Sequence, residues 1–160
     1  MSTFEQWVAN LSRKRTERED RQRKWEEEAP LREAEKLAKE KREAEEKERA
    51  TTAVAQAMVA FQQALEVAGA TVVNKQGALW VRSPDLDAEG SVNVTVHAAG
   101  AISVSDDLGD PLNQVYLPPE KVSVPVVLDA MTTVVEASIA HRRKQEQQAK
   151  EARGYSFNSY

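Results

Sequence analysis

The stretch REAEEKERATTAVAQAMVAF, residues 42–61, changes character in its middle: it is nearly all charge up to Ala50, and from Thr51 no charge appears until Glu66. Val54, Ala57, Met58, Phe61, Ala64, Leu65 and Ala68 fall at helical spacing and make a broad apolar face. Gly69 is placed to cap that helix at its C-terminus. Upstream, Glu35–Lys39, Glu43–Lys47 and Glu45–Arg49 are i, i+4 pairs in the favoured order, with Lys36–Glu40 and Lys39–Glu43 completing the row. Each pair is worth only ~0.2–0.5 kcal/mol, but a row of them holds a helix without burial. Leu31, Ala34 and Ala38 give a thin stripe that fades by Lys41, a poor coiled coil with at most a weak dimer seam at its start. The junction therefore reads as a solvated rod running into a folded domain. If helix is continuous from Leu31 to Ala68 it is about 57 Å long, and its first half projects beyond the domain that its second half packs on.

Working outward to the N-terminus, Ser2 with Glu5, or Thr3 with Gln6, fits a capping box. Phe4, Trp7, Val8 and Leu11 then fall at i, i+3, i+4 and i+7. This short apolar face either folds back on the chain's own core, pairs with a second copy, or anchors in a partner's groove. Ser12 to Lys24 holds seven basic and three acidic residues. Arg13, Lys14, Arg15, Arg18, Arg21, Arg23 and Lys24 are candidate phosphate contacts. The alternative is a solvated helix with internal pairs Glu17–Arg21, Glu19–Arg23 and Asp20–Lys24. Trp25 is not explained by solvation alone. Pro30 reads as a helix restart.

Toward the C-terminus the pattern turns to strands. ATVV, NKQG and ALWVR, residues 70–82, suggest a hairpin with its turn at Asn74–Gly77, Leu79 and Val81 on one face, Trp80 and Arg82 on the other. In SVNVTVH, residues 91–97, Val92, Val94 and Val96 alternate with Asn93, Thr95 and His97, the signature of a half-buried antiparallel strand. Ile102 and Val104 point inward in the next strand, and Gln114–Leu117 is a short extended piece. Pro125 opens a last helix with Val127, Leu128, Met131, Val134, Val135 and Ile139 on a wide apolar face. A polar extension from His141 runs to Gly154. The expected fold is α+β: a long charged helical arm, then helix, antiparallel sheet of three to four strands, and helix. It divides into an amphipathic and basic helix (1–29), a charged spacer (30–50), a core domain (51–140) and a polar extension with an aromatic tail (141–160).

Lys and Arg number 14 in residues 1–50 and 8 in 51–160, against 14 and 12 Asp and Glu. The arm is neutral but dense in both signs, and the rest carries −4, which argues mildly against non-specific phosphate binding. The chain has no Cys, so disulfide and thiolate chemistry are excluded. No run of 18 apolar residues and no signal-peptide pattern is present, so the expectation is a cytoplasmic protein with no membrane partner. Neither His97 nor His141 sits in a catalytic or metal motif. Asp85, Asp87 and Glu89 before Gly90 resemble the start of a calcium loop, but its twelfth position is Val96 in a strand. Two solvated acidic turns are the simpler reading. No enzyme activity, metal or cofactor is expected.

The run GSVNVTVHAAGAISVSDDL (residues 90–108), followed by VVLDAMTTVVEASIAHRRKQEQQAKEA (126–152), resembles the core of the YbaB/EbfC family: a V-x-V-T-V strand, a Gly-containing turn, a second strand with an acidic end, and an Ala-rich helix with a charged extension. The resemblance covers about residues 54–152. It implies a homodimer with projecting helical arms and a nucleoid-associated, DNA-binding role, with no catalytic residues; some relatives are secretion-system accessories. The arm and the long link from Asp110 to Pro125 depart from that pattern. The leading expectation is a dimerising DNA-associated protein. Its contacts would be the seven cations above with Arg142, Arg143 and Lys144, touching phosphates and reading no bases. The alternative is an adaptor or assembly factor of a secretion system or viral particle, with Phe4, Trp7, Val8 and Leu11 in a groove and Tyr155, Phe157 and Tyr160 in an extended site.

Overall fold

The computed structural model describes residues 2–106 and 113–157, the side chains of 155–157 excepted. Helix α1 spans Thr3–Val67 and α2 spans Val124–Phe157. Between them lie β1 (Thr71–Lys75), β2 (Ala78–Arg82), β3 (Gly90–Val96), β4 (Ile102–Ser105) and β5 (Gln114–Leu117). The fold is α+β, a helix, an antiparallel sheet and a helix, as the periodicities predict. The extended piece at Gln114–Leu117 pairs with β4 and brings the sheet to five strands. The chain divides into two compact units, Met1–Arg42 and Glu43–Tyr160.

In the first unit everything is α1. The Ser2–Glu5 capping box is present: the Ser2 N–H donates to Glu5 Oε2 at 2.9 Å, and the Glu5 N–H donates to Ser2 Oγ at 3.2 Å. The expected restart at Pro30 is not there; Pro30 lies inside continuous helix. A proline ring removes one helical hydrogen bond and crowds the preceding turn. Arg32 braces that turn. Its guanidinium donates to the Trp25 carbonyl at 2.8 Å, lies 3.6 Å from the Trp25 ring centroid and pairs with Glu28 at 3.6 Å. Trp25, unexplained by solvation, is thus the platform for Arg32. Leu31 and Leu37 are exposed.

The second unit begins earlier than the loss of charge at Thr51. Ala50 is buried, and Arg49 donates to the carbonyls of Pro119 at 2.6 Å and Val122 at 3.3 Å. The end of the charged spacer is therefore built into the fold, because an arginine can lay its stem on apolar surface while its head bonds backbone. Gly100 sits against the same stretch with φ +92°, and a Cβ there would meet the Glu46 carbonyl oxygen at 2.6 Å. The Ala70 N–H donates to the Leu65 carbonyl and the Gly69 N–H to the Glu66 carbonyl, a Schellman closure of α1 at the expected glycine.

The sheet is a meander in the order β1-β2-β3-β4-β5, every pair antiparallel. Its first hairpin closes on two residues, Gln76 and Gly77, both at positive φ, tighter than the four-residue turn expected. Register carries the core across the strands: Val72 opposes Val81, Leu79 opposes Val92, Val94 opposes Val104, and Ile102 opposes Leu117. These join Ala50, Val54, Ala57 and Phe61 of α1 with Val127, Ala130, Met131, Val134 and Val135 of α2 in one apolar core. Thr71, Thr95, Gln114 and Tyr116, at the alternate strand positions, are exposed, so the sheet is one-sided. The apolar part of α2 is long enough and apolar enough to cross a membrane by length and composition, but Val127, Met131 and Val134 are wholly buried in the core. Helix α2 continues through Gly154 to Phe157, past the expected stop.

Candidate nucleic-acid interface

The structure sorts the seven arm cations into two groups. Arg13 pairs with Glu17 at 3.9 Å, Arg15 with Glu19 at 3.0 Å, and Arg23 with Asp20 at 3.1 Å and Glu27 at 3.9 Å. The pairings expected there, Glu17–Arg21, Glu19–Arg23 and Asp20–Lys24, give way to these neighbours. Competing i, i+3 and i, i+4 partners differ by only tenths of a kcal/mol. Lys14, Arg18, Arg21 and Lys24 are exposed and have no carboxylate partner among the described residues.

Lys14, Arg18 and Arg21 stand at i, i+4 and i+7, so they share one face of α1. The row extends in both directions at the same alternation of four and three: Trp7 and Leu11 before it, Trp25 after it. The carboxylates of Glu19 and Asp20 fall on other faces, while Glu17 borders the row, three residues after Lys14 and four before Arg21, and pairs with Arg13, which is off it. At the N-terminal end Phe4 is 69% and Trp7 59% exposed, with ring centroids 6.4 Å apart; Val8 and Leu11 are also exposed. Read for apolar residues, the 7-11-14-18-21-25 spacing is a failed coiled-coil seam. Read for charge, it is a cationic strip with aromatic ends, which is the signal that a search for apolar periodicity misses.

The α2 cations behave differently. Arg142 lies over Trp80, its Cζ 4.5 Å from the ring centroid, and Arg143 pairs with Asp87 at 3.1 Å. Lys144 is exposed. These three therefore do not form one strip. The acidic loop before β3 is largely neutralised from within: Asp87 by Arg143, Glu89 by Arg82 at 3.4 Å. Among the described residues no three potential metal ligands come together. Tyr155 and Phe157 fall within α2 and not in an extended tail; their side chains, and all of Tyr160, lie outside the described residues. His97 Nε2 lies 2.6 Å from Ser103 Oγ. That contact is one precondition of an activated nucleophile, but among the described residues nothing orients the other ring nitrogen. Compared with models of protein families, with curated proteins and with solved structures, the chain matches none.

Proposed function

We propose that the protein is a non-catalytic binding protein that associates with nucleic acid through the Lys14–Arg18–Arg21 face of α1. The observation that carries this reading is the row itself: three exposed cations on one helix face without carboxylate partners among the described residues, while Arg13, Arg15 and Arg23 beside them are each paired. A strip of unpaired cations repels a copy of itself and is stabilised by a regular polyanion. Contacts of this kind go to phosphates and carry no sequence information. The resemblance to YbaB/EbfC proteins supports the same reading. Binding isotherms on duplexes of unrelated sequence test it: affinity is to be nearly equal on all and to fall steeply with salt.

A second reading has its own observation. The exposed cluster of Phe4, Trp7, Val8 and Leu11 is costly to leave in water and fits a partner protein's apolar groove, as an adaptor requires. Trp7→Ala separates the two, because it abolishes capture of a protein partner and leaves the salt dependence on DNA in place. The proposal also includes a second copy of the chain. The broad face on Val54, Met58, Phe61 and Leu65 is packed against the core within one chain. We assign the seam instead to the outward ridge of α1, where Thr52, Ala55, Gln56, Val59 and Gln63 are exposed and uncharged over three turns. Light scattering at micromolar concentration is to give twice the chain mass, and Val59→Glu the mass of one chain.

A further inference from the structure

Four of the eight Lys and Arg in residues 51–160 belong to one neighbourhood, although that part of the chain is acidic overall. Its centre is Trp80, half-buried in β2. The Arg142 guanidinium of α2 lies 4.5 Å from the indole centroid, and the Lys75 ammonium of β1 lies 5.9 Å from it. Arg82 stands two residues further along β2, on the side of the strand that Trp80 occupies, and Arg143 follows Arg142. Three elements thus bring like charges together, which costs free energy unless something offsets it.

The four divide. Arg82 and Arg143 are neutralised by Glu89 and Asp87. Lys75 and Arg142 have no carboxylate partner among the described residues and are held only by the negative face of the indole. The Nε–H of Arg142 is also buried without an acceptor, a condition that leaves hydrogen-bonding capacity unused. The nearby carboxylates are thus engaged by the outer arginines, and the inner pair is left for an anion from outside. A planar guanidinium and a compact ammonium held at one indole suit an oxyanion with several acceptor oxygens.

We infer that Lys75 and Arg142, set on Trp80, form a phosphate site in the second unit. It rests on the nucleic-acid reading only for the source of the phosphate: a backbone diester under that reading, free phosphate otherwise. The full chain carrying Trp7→Phe and Trp25→Phe keeps Trp80 as its single indole. Its emission is titrated with a DNA duplex and separately with inorganic phosphate, while the anisotropy of labelled duplex and its salt dependence are read on the chain with all three tryptophans in place. The expected result is a saturable change in Trp80 emission on DNA. Lys75→Gln or Arg142→Gln then each flattens the slope of log affinity against log salt by about one, while Arg142→Lys keeps it. DNA binding with silent Trp80 emission and unchanged slopes overturns the site and leaves the α1 reading standing. Absence of DNA binding, with phosphate moving Trp80 emission in the parent and not in Arg142→Gln, overturns the nucleic-acid reading and supports the site. No response to either ligand overturns both.

Discussion

Gly100 joins two constraints that a side chain cannot meet together. Its φ of +92° disfavours any L residue, and the Glu46 carbonyl occupies the place of a Cβ. Gly77 has a similar φ of +83° but open space around it. Gly100→Ala is therefore expected to cost about 2 kcal/mol or more and Gly77→Ala about 1 kcal/mol, since left-handed backbone alone costs ~1–2 kcal/mol. Urea unfolding of the two variants checks this, and equal losses would show that the Glu46 contact is not tight. Arg49 makes a related case. Its pair with Glu46 at 2.7 Å is half-exposed and worth little, whereas its bonds to Pro119 and Val122 satisfy backbone carbonyls. Arg49→Gln is expected to cost more than Glu46→Gln. At this scale sequence is legible where few partners are available, as in the capping box, which it narrows to Ser2–Glu5 or Thr3–Gln6 and which closes on Ser2–Glu5. It is not legible where several partners compete at nearly equal energy, as with Arg13, Arg15 and Arg23.

Element by element, the apolar patterns of Val54–Leu65, Leu79–Val81, Val92–Val96 and Val127–Ile139 placed both helices and the strands, because burial on one face imposes a period. Pro30 was misread for the opposite reason. Local preference at a proline favours a break, and the brace from Arg32 to Trp25 involves residues seven apart that no i, i+4 rule pairs. Arg32→Ala is expected to speed amide hydrogen exchange across residues 26–32 while leaving the thermal midpoint of the second unit unchanged; equal protection would show the brace to be dispensable. Charge marks a boundary at Ala50, whereas the second compact unit begins at Glu43 and already buries Ala50. A chain beginning at Glu43 is expected to keep that midpoint within a few degrees, and one beginning at Thr51 to lose more, through Ala50 and Arg49. Differential scanning calorimetry of the two truncations decides it.

For the molecule as a whole, the question is what the unpaired α1 cations meet. Composition placed seven cations in one segment and could not say which are free. That depends on which carboxylate each arginine reaches, and only side-chain geometry separates Lys14, Arg18 and Arg21 from their paired neighbours. Because residues 51–160 are acidic on balance, the proposed affinity for a polyanion rests chiefly on these α1 groups, with Lys75 and Arg142 as the one contribution from the second unit. The measurement that tests this most directly is an anisotropy titration of labelled duplex DNA at two salt concentrations, wild type beside the variant Lys14→Gln, Arg18→Gln, Arg21→Gln. Wild type is expected to bind at ~50 mM salt, and the triple variant to bind more weakly on every sequence, with its slope of log affinity against log salt flatter by about three. No binding at ~50 mM salt, or a triple variant with the wild-type slope, would contradict the account.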